Sequence, residues 1–377
     1  MYREVAETPG KTPMIIDRGD AFGVQKGLPD SSYHFSSRSL NAFLQTICRE
    51  RDVELVNDRI SEVVTAGGWI DHIESDVERY DADLYVDASG FKRVLMDELD
   101  NSFEQFDLPV DSAAVATIDI DLSEVVSATV VTTGTAGWFW QIDTCDVRDL
   151  GYVYSSDHIS DEAAVQEFIE TRDEEIDPDE VRHYRFDSGV LEEPWLNNCV
   201  AIGNALGFVE PLQSTALTTS AMLAYRLSRF LGKHGRVNHE GLRQLYNDTT
   251  LATWEEVYNF ISLYYKYSSG TTQFWEDARS INPGKTEEYI SYQQSGFGGI
   301  EERSSLTRTD ADLNPYYLYC LVLRNLGVNS EFFENIDIDV DPAVVKGVEE
   351  HSSSVSEQMD QYLSYREFYH SFHPGFE

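Results

Sequence analysis

Positive charge is what this 377-residue sequence has least of. Its 28 lysines and arginines, only seven of them lysine, stand against 67 aspartates and glutamates, for a net charge of −39. No basic stripe exists to neutralise phosphates, so nucleic acid is excluded as a partner. Cysteine is scarce too. Cys48, Cys145, Cys199 and Cys320 show no C-x-x-C spacing and read as free core thiols rather than zinc ligands or disulfides. No apolar run approaches about 18 residues, and Met1 is not followed by a basic-then-apolar leader. The chain therefore reads as soluble and cytoplasmic, with no membrane partner. Also missing is a strand followed by G-x-G-x-x-G and a helix, the turn that seats a dinucleotide pyrophosphate. Nothing of that form precedes Tyr33, and the glycines between Gly296 and Gly299 follow no strand.

What is present is enough for a large core. Hydrophobic residues make up 41% of the chain and the acidic residues are spread along it, which excludes disorder as the reason for the charge. A folded chain so charged repels itself unless salt screens it, with a Debye length of about 3 Å at 1 M. The sequence reads as that of a protein from a high-salt cytoplasm.

The first thirty residues carry turn chemistry. An amphipathic helix is predicted from Ser36 to about Glu50, with Leu40, Phe43, Leu44 and Ile47 on one face. A strand at Val53 to Val56 and a meander through Ile60 to Val64 and Trp69 to Ile73, turned at Gly67-Gly68, follow. Asp83 to Phe91 reads as a strand running into a tight turn. Ala113 to Leu122, Ala128 to Ile142 and Tyr152 to Ser155 read as strands rich in Val, Ile and Thr. A helix from Asp161 to Arg172 and a strand from Val181 to Phe186 come next. Later helices are expected at Leu242 to Lys266, Pro315 to Leu326 and Ser356 to Phe372, with an acidic loop at Asp337 to Asp341.

The most informative stretch is Cys199 to Ala216. A buried strand (Val200 to Ile202) ends at Gly203, where a missing Cβ lets the backbone approach a ligand. Pro211 closes the turn. Ser214 or Thr215 can cap the helix that follows, on which Leu217, Ala221, Ala224, Tyr225 and Leu227 fall at helical spacing. Strand, glycine turn and helix N-terminus together make a ready anion site. An ordinary strand–helix connection fits the same spacing.

Gly203-Asn204-Ala205-Leu206-Gly207-Phe208-Val209-Glu210-Pro211-Leu212-Gln213-Ser214-Thr215-Ala216 resembles the G-x-x-x-G-F-V-E-P-L-E-S-T-G segment of the flavin-dependent tryptophan halogenases. Gly137-Trp138-Phe139-Trp140-Gln141-Ile142 resembles that family's W-x-W-x-I-P signature, in the same order along the chain. Asp87 to Phe91 is similar to its D-x-S-G-F segment, and Tyr264-Tyr265 with Phe274-Trp275 to an H-Y…F-W segment. The resemblance implies an α/β (α+β) fold: a glutathione-reductase-like FAD-binding fold with mixed sheets, without its N-terminal dinucleotide-binding βαβ segment, plus a helical substrate region. Residues 1–232 would form the flavin and sheet region, with a substrate-side sheet at about 110–190, and 233–377 the helical region.

The implied chemistry uses reduced FAD from a separate flavin reductase, dioxygen, and chloride or bromide to halogenate an electron-rich aromatic small molecule. Ser89, Gly90, Gly203, Asn204, Phe208 and Pro211 would contact the cofactor. Thr215 and Ala216 would hold the halide through their amides, and Gln213, Ser214, Trp138 and Trp140 would line the reaction path. Tyr264, Tyr265, Phe274 and Trp275 would wall the substrate, although helix packing explains Tyr265 and Phe274 equally well. An N-terminal fragment encoded upstream and a homodimer are further partners consistent with the family.

Several departures from the family pattern bear on activity. The dinucleotide fingerprint is missing, and neither Lys26 nor Lys92 stands in the context of the family's lysine. Asp143 replaces the proline of W-x-W-x-I-P. Gln213 replaces the glutamate before Ser-Thr-Gly, and an amide cannot take up a proton at useful pH. Ala216 replaces the glycine, which is harmless only if that position needs no positive φ. A flavin monooxygenase without halogenation, or a non-catalytic aromatic-binding remnant, are the rival readings.

Overall fold

The computed structural model describes residues 34–234, 239–288 and 290, two short paired strands, and positions 319, 322, 323 and 326–328. The helices expected at Pro315 to Leu326 and Ser356 to Phe372, and the acidic loop, lie outside the described residues or almost wholly so. By contact the chain divides into two compact units: Met1–Leu55 with Ser112–Tyr184 and Asp337–Glu377, and Val56–Asp111 with Arg185–Ile336. The division proposed at 232/233 follows the chain, whereas these units each gather separated stretches.

In the first unit, β1 (Ile15–Ile16) and β2 (Gln25–Lys26) pair antiparallel. Helix α1 (Ser37–Glu50) opens where Ser36 accepts a hydrogen bond from the Ser39 N–H, as a capping serine should. It is amphipathic, yet none of its residues is buried, and Phe43 and Leu44 stand exposed.

In the second unit, β3 (Ile60–Ala66) and β4 (Trp69–Ser75) form a hairpin on Gly67 and Gly68, both at positive φ, and β5 (Arg79–Tyr80) extends it. β6 (Tyr85–Asp87) runs parallel to a later strand described below. β7 (Phe103–Gln105) pairs with a later segment as well.

The first unit's main sheet is antiparallel. β8 (Ser112–Asp119), β9 (Val130–Thr133), β10 (Gly137–Asp143) and β11 (Val147–Tyr154) are ordered β8-β11-β10-β9, with β12 (Arg182–Arg185) on the outer edge of β8. Ala128 to Ile142 is thus two strands rather than one, because the chain reverses at Gly134–Ala136. A Cβ at Gly134 would fall 2.8 Å from the Tyr152 ring, so only glycine fits this corner. One face of the sheet carries Ala114, Ala116, Phe139, Leu150, Tyr152 and Tyr154 against Ala164 and Phe168 of α2 (Asp161–Glu170), which supplies the core. Period-two alternation puts Trp138 and Trp140 on the other face.

The second unit continues with β13 (Gly189–Leu191), β14 (Trp195–Leu196), β15 (Cys199–Ala201) and β16 (Gly207–Phe208). They form two small sheets, β16-β13-β7 and β14-β15-β6, the latter with β15 and β6 parallel. Helices α3 (Thr215–His234), α4 (Glu240–Lys266) and α5 (Gln273–Ala278) follow. On α3 the buried positions are Thr219, Leu223 and Leu227, one turn apart, while Leu217 and Tyr225, expected on the buried face, are exposed. Val53 to Val56 forms no strand: it finds no partner, and Val53, Leu55 and Val56 are exposed.

Candidate functional site

The site residues of the second unit cluster at the C-terminal ends of two adjacent parallel strands. β6 ends in Asp87-Ala88-Ser89-Gly90 and β15 in Ile202-Gly203-Asn204. Both glycines are left-handed, Gly90 at φ +72° and Gly203 at φ +61°. A Cβ on Gly90 would meet no described atom within 4 Å, and one on Gly203 would meet only the Ser220 hydroxyl, at 3.4 Å. Open space over bare backbone at the carboxyl ends of parallel strands is where a flat or extended ligand can lie close.

Ser89 plays a local part. Its Oγ donates to Asp87 Oδ1 at 2.6 Å and accepts from the Val94 N–H at 2.8 Å. The buried Asp87 carboxylate also accepts from the N–H groups of Leu95 and Met96, so it braces the turn instead of facing a ligand. Asn204, by contrast, makes no side-chain hydrogen bond among the described residues.

Phe208 stands between Phe91 and Phe186, edge-on to each at 5.3 Å. Beside this aromatic floor is a cleft of about 240 Å³ lined by Phe91, Arg93, Asp111, Arg185, Phe186 and Asp187. The Arg93 guanidinium lies over the Phe103 ring at 4.1 Å and its Nε donates to the Ala205 carbonyl. Reading motifs missed this cleft, since its residues come from three separated stretches. The arginine pair in so acidic a chain was the signal available.

The segment Pro211 to Ala216 is strained in a specific place. Gln213 (φ 64°) and Ser214 (φ 51°) are consecutive left-handed residues, neither of them glycine. Each such residue costs of order 1 kcal/mol, and outliers of this kind gather at functional sites. Thr215 resumes right-handed geometry at φ −66° and begins α3, and Ala216 has no positive φ. Alanine in place of glycine is therefore free of strain. The first-turn amides of Thr215 and Ala216 lie where a helix leaves N–H groups without intrahelical partners.

Gln213 is exposed, and its Nε2 donates to the Tyr264 hydroxyl at 2.6 Å. Burial raises the phenol's pKa to about 12, the Gln213 hydrogen bond opposing this in part. Tyr264 is thus a neutral hydrogen-bond donor at any ordinary pH. Its neighbours are core residues. Tyr265, Phe274 and Trp275 are all buried, with Tyr265 stacked on Trp275 at 6.0 Å and edge-on to Phe274 at 6.5 Å. Tyr265 donates to the buried Glu210 Oε2 at 3.0 Å, fastening the Pro211 turn to α4. Of the four aromatic residues read as a substrate wall, Tyr264 meets the exposed Gln213 of this turn and Tyr265 its buried Glu210.

Trp138 and Trp140 belong to the first unit. Trp138 is buried, and the Trp140 indole lies directly over Gly151, where a Cβ would come within 2.3 Å of the ring. The residue after this signature, Asp143, is fully buried. It accepts two hydrogen bonds from Arg148 (2.9 and 2.8 Å) and one from the Val126 N–H (2.8 Å). Arg148 also reaches Glu174 at 2.5 Å, and these partners, Asp143 foremost, raise its pKa. Where a proline would fix the strand exit by its ring, an ion pair fixes it here.

Among the described residues, no group of histidine, cysteine and carboxylate side chains could hold a metal, and no helix is long and apolar enough to cross a membrane. The tryptophan halogenase family profile matches residues 17–336. The tryptophan 6-halogenase SttH of Streptomyces toxytricini is 34% identical over 260 residues, covering 66% of this chain and 49% of that protein. The tryptophan 7-halogenase RebH of Lentzea aerocolonigenes is 30% identical over 282 residues, covering 72% and 53%. The chain spans about half the length of these relatives. The solved structure of SttH superimposes with a TM-score of 0.76 at 25% identity, covering 96% of this chain and 74% of that one. Tar14, a tryptophan C-6 flavin-dependent halogenase from taromycin biosynthesis, shares the fold with a TM-score of 0.80 at 23% identity, covering 96% and 74%.

Proposed function

This chain belongs to the tryptophan halogenase family, and from that premise we propose that it is a flavin-dependent halogenase-type oxidoreductase acting on an electron-rich aromatic ring such as an indole or phenol. The observation that carries the reading is the paired glycine turns on β6 and β15, open above the backbone and continuous with the strained turn into α3. These residues fit a flavin: Gly90 and Gly203 leave room for it, Asn204 has an uncommitted amide, and Phe208 and Pro211 border the turn. When bound with dioxygen and halide, reduced FAD supplies the electrophilic halogen. The amides of Thr215 and Ala216 would hold the halide. Gln213 and Tyr264 offer hydrogen bonds but no base, so a proton leaving the ring would pass to solvent.

The test is product mass. Residues 1–377 with FAD, a separate flavin reductase and an indole or phenol in bromide buffer should give a product bearing the bromine isotope doublet. A hydroxylated product without bromine would overturn halogenation and favour a flavin monooxygenase, the reading that the neutral Gln213–Tyr264 pair supports. FAD that does not bind at all would favour a non-catalytic aromatic-binding protein.

A further inference from the structure

Two of this chain's departures from the motifs it otherwise follows touch each other. Gln213 stands where the E-S-T-G pattern has glutamate, Tyr264 where H-Y has histidine, and the two side chains are joined by the 2.6 Å hydrogen bond. They are 51 residues apart and sit on different elements, one on the turn before α3 and one in the last turn of α4. The Tyr264 ring is set by its edge-on contact with Phe260 at 5.9 Å, and Phe260 in turn by Tyr319 at 5.1 Å. The phenol is therefore a fixed post, and Gln213 is the exposed partner held in a left-handed backbone.

We propose that Tyr264 is the positioning residue of this site, holding the side chain at 213 in place and lowering the basicity of any carboxylate placed there. The inference rests on the halogenase reading only for its catalytic consequence; the pairing stands without it. In the chain as it is, the amide donates to the phenol oxygen, which leaves the phenol's own proton directed elsewhere. Were position 213 a carboxylate, the phenol would donate into it. A hydrogen bond to the charged form of a carboxylate stabilises that form and makes it a weaker base. Restoring glutamate alone would thus not restore an ordinary glutamate; the tyrosine must change with it.

The experiment needs neither flavin nor halide. Gln213→Glu is prepared with side-chain 13C-labelled glutamate, and the new carboxyl resonance is found by difference from the unsubstituted protein. Its titration midpoint is then compared with that in Gln213→Glu, Tyr264→Phe. A midpoint lower by about one pH unit when Tyr264 is present, a tenfold change in proton affinity, is expected. Equal midpoints would overturn the proposal, because a purely structural tyrosine would alter stability without moving the titration. A second measurement covers poor folding of the glutamate variants. The side-chain amide 15N–1H signals of Gln213 should shift in Tyr264→Phe alone, and an unmoved pair of signals would also overturn the proposal. Failure to brominate with the midpoint shift intact would remove the halogenase reading and leave the pairing standing.

Discussion

Asp143 offers the sharpest test of how this chain holds its tryptophan-bearing strand. Its carboxylate is wholly buried, and it shares two hydrogen bonds with Arg148, whose side chain is only 12% exposed. Asp143→Ala strands that guanidinium with Glu174 as its remaining carboxylate and orphans the Val126 N–H. Removing one partner of a buried pair costs about 3–5 kcal/mol, because the other charge stays out of water. At about 2–4 °C per kcal/mol for a unit of this size, melting should fall by roughly 6–20 °C. Circular dichroism near about 1 M KCl reads it, and the loss should persist at higher salt, since buried charges are screened little. Asp143→Ala, Arg148→Met should recover much of the loss by removing the stranded charge. A fall of less than about 2 °C for Asp143→Ala would show that Arg148 relaxes into solvent, and the ion pair would no longer explain the strand exit.

Other outcomes follow from single features. Gly151→Ala must displace the Trp140 indole, so it should cost about 1–3 kcal/mol and shift tryptophan emission to the red; an unchanged spectrum would refute the contact. His72 bonds Asp71 at 2.8 Å and Glu74 at 3.1 Å, and its pKa is raised, by the Asp71 hydrogen bond first. That stabilisation is full below the unfolded value of about 6.5 and is lost as pH rises through the higher folded value. Amide exchange in the β3–β4 hairpin should accordingly quicken over that window, and His72→Gln should abolish the dependence. With a net charge of −39, structure should be lost on dilution from roughly 3 M to 0.1 M KCl. An unchanged melting temperature would dismiss the high-salt origin.

Periodic elements were legible because residue spacing alone marks them. The turn at Gly67-Gly68, the helix observed at Ser37–Glu50 and the long helix ending at Lys266 all fall where spacing puts them. Val53 to Val56 misled because β-branched composition describes a strand's fitness for a sheet, not the presence of a neighbour. Trp138 and Trp140 share a face as alternation requires, but their ranking as site residues came from family resemblance rather than from the strand itself. Tyr264 and Tyr265 are adjacent aromatic residues with different fates: one partly buried and holding Gln213, the other buried on Glu210. Only their direction around α4 separates them. The 213–264 contact was out of reach, since nothing in either segment encodes which residue 51 positions away will face it.

The two left-handed residues before α3 also bear on any attempt to improve this protein by selection. Glycine at 213 or 214 would relieve backbone strain of order 1 kcal/mol per position. A screen for heat resistance would therefore favour Gln213→Gly, and with it lose the side chain that meets Tyr264. Gains in robustness and losses in chemistry would arrive in the same clones. A library built on this chain should hold position 213 fixed and seek its stabilising changes elsewhere, on the exposed apolar face of α1 for instance.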